Sequence, residues 1–409
     1  MDAVFLELKK LNQELTAFDK YKIPLCAAET YVSPFVRQAY DSVFDGKYSM
    51  NNIGWHQEDD FIGSVYINEL FRLVSSACKK YFGAEYADAR TLSGMNCFAI
   101  VAQCLIDRGD KVLITTADQG GHPSVPLILD KLGIKHEEVP YDYGSYQIDY
   151  AALNELLAKG VYSHLILCQS DLLQPPELEK IDFGNTTLIY DGTQTLGMIQ
   201  SGILDNPLRC KARTVLIGGT HKTLPGPTCG LIMANDSDVG SVVDKLISPS
   251  FLRNVQPNMI AAALLAMIEQ NAIGAAYQTA TVKTANNLAR KLEARGQAVV
   301  RLEDETYTHT HQIFLSETAE MTRTIFDNAV AAGITLNKKK KKLFGGSGIR
   351  IGVQEIARYG WNDNCLNVLA DVLIMLREKH PDSDKLAKLT NSLSEAKIPD
   401  PRFVLSDVL

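Results

Sequence analysis

Lys222 stands in the run Gly218-Gly219-Thr220-His221-Lys222-Thr223-Leu224-Pro225-Gly226-Pro227, just past a short apolar segment. Glycines and prolines on both sides hold such a lysine in a rigid, irregular loop. Burial there disfavours the ammonium and lowers its pKa, which an amine nucleophile for an aldehyde requires. Strand-end lysines are common, so Lys222 alone also has a purely structural reading. Asp191 closes Thr187-Leu188-Ile189-Tyr190-Asp191. A carboxylate there can keep a pyridine nitrogen protonated, or can simply cap the helix that follows. Ser93-Gly94 leads into a helical pattern over 96–106, where free amides at a helix start bind phosphate and glycine allows close approach. His122, after Gly120-Gly121, has the ring to stack on a planar cofactor, or to fill a core. Amine, carboxylate, phosphate turn and stacking ring together suit pyridoxal phosphate.

The elements that would position these groups alternate between helix and strand. Residues 64–82 carry Val65, Leu70, Phe71, Val74, Ala77, Cys78 and Tyr81 at helical spacing, and Gly83 ends the pattern. Strand-length apolar runs follow at 111–115, 164–168, 187–191 and 214–218, most of them separated by helical patterns. That rhythm predicts a largely parallel sheet covered on both faces, with ligands beyond the carboxyl ends of its strands. Near residue 275 the character changes: a long helix over 276–294, a strand over 312–315 and a helix over 322–332 read as a smaller domain. The expectation is an N-terminal segment and large domain over 1–275 and a small C-terminal domain over 276–409.

Composition narrows the partners. With 46% hydrophobic and 22% charged residues the chain has globular character, and a net charge of −7 disfavours nucleic acid as main partner. The first 22 residues alternate apolar and charged positions at helical spacing, so an amphipathic helix is expected and not a signal peptide. The most apolar stretch, 259–268, is short for a bilayer, and no membrane role is expected. Eight scattered cysteines without a C-x-x-C pattern fit a reducing, cytoplasmic compartment. His309 and His311 form the one close histidine pair, with no cysteine or carboxylate at ligand spacing, so no metal is expected.

The run Thr220-His221-Lys222-Thr223-Leu224-Pro225-Gly226-Pro227 closely resembles the lysine motif of serine hydroxymethyltransferase. Further resemblances run in order along about nine-tenths of the chain: Ala27-Ala28-Glu29-Thr30-Tyr31-Val32-Ser33-Pro34, Gly46-Lys47-Tyr48, Leu92-Ser93-Gly94, Gln119-Gly120-Gly121-His122 and Ser347-Gly348-Ile349-Arg350-Ile351-Gly352. The resemblance implies an α/β, fold-type I pyridoxal-phosphate transferase, its large domain built on a mostly parallel sheet and its smaller C-terminal domain α+β. It implies Lys222 as the Schiff-base lysine with His221 supporting its loop, and Asp191 at the pyridine nitrogen. His122 would stack on the ring, while Ser93, Gly94 and Met95 would form the phosphate turn. Ser170 would sit near the phenolic oxygen, and Gln194 would replace a family histidine beside the cofactor. Glu29 and Tyr48 would be catalytic, Tyr48 reaching across a homodimer or dimer of dimers, and Arg350 would grip the substrate carboxylate two-handedly.

Departures from the family bear on the reaction. The glutamate two residues after the tyrosine motif is Met50, which cannot exchange a proton. The glycine-rich stretch from the partner subunit is replaced by Ser250-Phe251-Leu252-Arg253-Asn254-Val255-Gln256-Pro257, which makes Arg253 a candidate anion contact. The arginine after the lysine loop is Thr228, and the segment after Tyr48 is shortened, with Trp55 and His56 nearest to a lost tyrosine. What survives is chemistry at Cα of an amino acid. The expectation is folate-independent aldolase or transaldolase chemistry on a β-hydroxy amino acid or glycine, with an aldehyde or anionic second substrate. Folate-dependent hydroxymethyl transfer, transamination or racemisation, and an inactive scaffold are the alternatives. The five lysines at 338–342 read as a solvated loop or as an attractor for an anionic substrate.

Overall fold

A computed structural model of the chain describes residues 2–49 and 62–406. The chain divides into two compact units, Thr30–Thr279 with Pro401–Leu409, and Met1–Glu29 with Ala280–Asp400.

The larger unit is built on a seven-stranded sheet: β1 (Tyr86–Asp88), β2 (Lys111–Ile114), β3 (Lys135–Glu138), β4 (His164–Leu167), β5 (Thr187–Asp191), β6 (Thr214–His221) and β7 (Pro225–Ala234). Their spatial order is β1-β7-β6-β5-β4-β2-β3. Neighbours from β3 through β6 run parallel, while β7 runs antiparallel to both β6 and β1. Near-continuous apolar runs such as Leu165-Ile166-Leu167 and Val215-Leu216-Ile217 are fully buried, as strands covered on both faces must be. One face packs Val112, Ile114, Ile166, Ile189, Val215 and Ile217 against Phe98, Val101 and Ala102 of the helix Gly94–Leu105. Each such buried Val, Ile or Phe side chain contributes roughly 1.5–3 kcal/mol.

The helix Ser64–Phe82 ends where the sequence places it, at Gly83 with φ 69°, a conformation suited to glycine. Its buried face uses Ile67 and Phe82 in addition to Leu70, Phe71, Val74, Ala77 and Cys78, whereas Val65 is exposed. The strand β7 was not legible because its opening Pro225-Gly226-Pro227 signals a turn, yet its residues pair with β6 through a register shift.

The smaller unit has an antiparallel three-stranded sheet of β8 (Gln312–Ser316), β9 (Asn337–Lys339) and β10 (Gly348–Gly352), with β10 in the centre. The expected boundary needs correction at the N-terminus: residues 1–29 group with the C-terminal unit and not with the large one. Ile23–Pro24 pairs in parallel with Ile334–Thr335, and the Gln354 amide donates to the carbonyls of Cys26 and Glu29 at 2.7 and 2.6 Å. The expected helix at 276–294 is the second half of a continuous helix, Pro257–Glu293, and the unit boundary falls inside it. Pro257 sits at the first helical position, where its missing N–H costs nothing. That helix is long and apolar enough to cross a membrane by length and composition, with an 18-residue window of mean hydropathy 1.5. Of that window 61% is buried inside the protein, as in the core helix of a globular unit.

The lysine run is only partly a solvated loop. Asn337–Lys339 forms β9, and Lys338 Nζ lies 4.3 Å from the centre of the Phe326 ring.

Candidate active site

The carboxyl ends of β4, β5 and β6 converge with the start of the helix Gly94–Leu105 on a cavity of about 180 Å³. Ser93, Gly94, Met95, His122, Ser170, Asp191, Gln194, His221 and Lys222 all line it, which are the nine residues singled out for the cofactor. Gln169 and Thr193 line it too. Sequence reasoning missed these two, although each adjoins or nearly adjoins a residue it named. A larger cavity of about 700 Å³ in the same unit, with Tyr81, Phe183, Tyr190 and Arg209 in its walls, contains none of the nine.

Local backbone geometry sets each wall. Ser93 caps its helix, its Oγ accepting from the Asn96 amide at 3.3 Å, and the Leu92 amide donates to Asn96 Oδ1 at 2.9 Å. The helix therefore begins at Gly94 with its first amides at the cavity wall, a ready anion site. A Cβ on Gly94 would stand 2.5 Å from Thr193 Oγ1, so this position excludes any side chain. His122 is held by its amide, which donates to the Cys168 carbonyl at 2.9 Å, and by its ring Nδ1, which accepts from the Ser124 amide at 3.2 Å. Gly121 before it bonds Thr116, and a Cβ there would collide with the Thr115 carbonyl oxygen. The Ser170 amide donates to the Gly120 carbonyl at 2.7 Å, tying the loop after β4 to the histidine loop.

Asp191 is held from both sides. Its Oδ1 accepts from the Thr193 amide at 2.8 Å and from the Thr193 hydroxyl, and its Oδ2 accepts from the Cys168 thiol at 3.0 Å. Burial, together with the Asp191 charge, pushes the Cys168 thiol far up, so it stays protonated and donates. Thr193 Oγ1 also accepts from the Gly219 amide at 2.9 Å, which couples the aspartate turn to β6. Burial pushes the His221 imidazole down to about 4, with the Lys222 charge adding to it, so His221 is neutral at ordinary pH. Its Nδ1 is buried and has no hydrogen-bond partner among the described residues.

These residues fit pyridoxal phosphate. A helix start with a bare glycine suits the phosphate, an oriented carboxylate suits a ring nitrogen, a lysine stands at a strand end, and a half-buried neutral imidazole lies beside it.

Other candidates are not among the residues lining this cavity. Glu29 and Arg350 belong to the smaller unit. Arg350 is buried in β10, donating from Nη2 to Asn337 Oδ1 at 2.8 Å, while the Glu29 carboxylate accepts from Lys22 Nζ at 3.3 Å. Tyr48 is 36% exposed and Arg253 is exposed, and neither lines the cavity. Met50, Trp55 and His56 lie outside the described residues. The histidine pair is split: His309 Nε2 pairs with Asp304 Oδ2 at 2.7 Å, and buried His311 turns its Nε2 towards the Ala27 carbonyl at 3.4 Å. Among the described residues no cluster of three or more His, Cys, Asp or Glu could hold a metal.

The sequence model of serine hydroxymethyltransferase matches residues 3–373. The chain belongs to that family. It is therefore a pyridoxal-phosphate-dependent enzyme. The serine hydroxymethyltransferase of Picrophilus torridus is 29% identical over 386 residues, covering 91% of this chain and 88% of that one. The serine hydroxymethyltransferase of Thermoplasma volcanium is 26% identical over 405 residues, covering 96% and 94%. Among solved structures, the L-threonine transaldolase of Pseudomonas fluorescens, in its internal aldimine state, superposes with a TM-score of 0.86 at 24% identity. It covers 97% of this chain and 94% of that one, which bears out the expected α/β fold.

Proposed function

We propose that this member of the serine hydroxymethyltransferase family makes or breaks a carbon–carbon bond at Cα of a β-hydroxy amino acid or glycine, without folate. What supports the reading is one cavity lined by all nine residues expected at the cofactor, combined with Met50 where the resembling family has a folate-handling glutamate. The fold shared with an enzyme named a threonine transaldolase supports the same direction.

Bound here, pyridoxal phosphate supplies an electron sink that weakens bonds to Cα. Lys222 is the residue that would hold it covalently. Amides at Ser93, Gly94 and Met95 would take its phosphate, and His122 would cover one ring face. Asp191 would keep a proton on the ring nitrogen, while Ser170, Gln194 and His221 would border the ring. Arg350 would orient the substrate carboxylate, and Glu29 and Tyr48 would move protons near Cα. A positioned acid–base group contributes roughly a hundredfold to ten-thousandfold in rate, and a thioether at position 50 contributes none of it. Folate-dependent hydroxymethyl transfer is the second reading, favoured by the names of the curated relatives.

Cleavage of threonine, and exchange of its aldehyde, measured with and without tetrahydrofolate, separates the two. The expected result is turnover that tetrahydrofolate leaves unchanged. A rise of orders of magnitude would establish the folate reading instead, with Glu58 the first residue to mutate.

Arg350→Lys keeps the charge but loses the planar fork. The expected outcome is a KM for the amino acid raised by about tenfold to a hundredfold, the scale of a charge-assisted bond, with cofactor affinity kept. An unchanged KM would remove Arg350 from the substrate site.

We also read the enzyme as an oligomer in the cytoplasm, with all eight cysteines free. The helix Ala3–Tyr21 buries none of its residues and exposes Val4, Leu8, Leu11, Leu15 and Phe18 at helical spacing, a surface suited to a second subunit. Sedimentation is expected to give a dimer or larger; a fully active monomer would exclude a Tyr48 shared across subunits.

A further inference from the structure

The strand β4 ends at Leu167, and the next residue joins both sides of the cofactor cavity. The Cys168 carbonyl accepts from the His122 amide at 2.9 Å, and its amide donates to Thr115 Oγ1 at 3.1 Å. Its thiol donates to Asp191 Oδ2 at 3.0 Å, and the residue is 1% exposed. One residue thus fixes both the backbone of His122, which would stack on the ring, and the carboxylate of Asp191, which would face the ring nitrogen.

A carboxylate offers about four acceptor positions. Thr193 uses two of those on Asp191 and Cys168 uses a third, which leaves one for a ring N–H. The identity of the third donor then matters. A thiol is a weak donor, whereas a hydroxyl bound to a carboxylate is short and strong and draws charge away from it.

We propose that Cys168 is a positioning residue for the cofactor: its thiol orients Asp191 while withdrawing little of the carboxylate's charge, so that Asp191 keeps its basicity toward the pyridine nitrogen. The inference rests on Asp191 serving that nitrogen, as read above.

The test titrates holoenzyme loaded with cofactor labelled with nitrogen-15 in its ring, following the nitrogen's chemical shift against pH. Cys168→Ser, nearly isosteric and with its hydroxyl satisfied by Asp191, is expected to lower the nitrogen's midpoint by about one pH unit. Cys168→Ala, which removes the donor, is expected to leave the midpoint at or above that of the parent. A structural role alone predicts no such ordering, so midpoints that coincide in all three proteins, or fall in both variants alike, overturn the proposal. Asp191→Asn run beside them separates the two ideas. If it leaves the midpoint unchanged, the reading of Asp191 fails and the proposal with it. If it collapses the midpoint while the Cys168 variants follow the parent, the proposal fails alone. A measurement on the parent needs no variant: loading the cofactor should shift one infrared S–H band, because the charge facing the thiol becomes shared with the ring. No shift on loading overturns the thiol's role.

Discussion

Replacing Lys222 with alanine is expected to abolish turnover and to leave no cofactor fixed to the chain by borohydride reduction. Lys222 follows the last residue of β6, at the carboxyl edge of the sheet, and lines the cavity with Asp191, His122 and the phosphate turn. Each other lining residue can at most hold the cofactor by contacts; an amine is the one group there able to bond its aldehyde. The fold should survive the change. The buried part of this segment is the backbone of Gly218, Gly219 and Thr220, and the lysine itself is only half-buried, so a cost of about 1 kcal/mol or less is expected. Circular dichroism and melting of the apo-protein check the fold, and peptide mapping after reduction checks the linkage. A reduced adduct mapped to a different lysine would overturn the assignment.

Asp191→Asn is expected to lower kcat/KM by about a thousandfold while leaving the turn around it in place. The amide keeps the shape, and its oxygen can still accept from Thr193, but the charge facing the ring nitrogen is gone. One unit charge at about 4 Å is worth roughly 4 kcal/mol at the effective dielectric of a protein site, which converts to about three powers of ten. Loss of the charge also removes the acceptor that the Cys168 thiol now faces at 3.0 Å, or turns an N–H toward it. Steady-state cleavage of threonine measures the effect. A variant within about tenfold of the parent would mean that the ring nitrogen is served by another group.

Why the cavity was legible and the rest less so comes down to where information sits in a chain. Asp191, Ser170, His221 and Lys222 lie at ends of buried strands, and those strands announce themselves as short apolar runs bounded by polar residues. Their carboxyl ends then meet because the sheet is parallel. Thr193 carries no such mark: a threonine two residues after an aspartate is ordinary until the turn closes its hydroxyl onto the carboxylate. Cys168 was visible only as the last residue of an apolar run. Its importance arises from what β5 brings opposite it. The helix Pro257–Glu293 was seen only in its second half, since its opening is apolar nearly all round and shows no single stripe. The N-terminal segment was placed with the large domain instead of the small one, because its partners are more than 300 residues away, as in Ile23 opposite Ile334.

That last pairing has a consequence for how the enzyme is made on the ribosome. Residues 1–29 are made before the larger unit's Thr30–Thr279, but the rest of their own unit, 280–400, is made after it. At roughly 5–20 residues per second, the intervening stretch of about 250 residues takes roughly 12–50 s to synthesise. Throughout that interval Ile23 and Leu25, fully buried in the finished unit against residues 334–352, have no completed unit to join, while the sheet of the larger unit can already assemble. Nascent chains should therefore recruit a holding chaperone around residues 23–25 early, and release it only once β8 through β10 are translated.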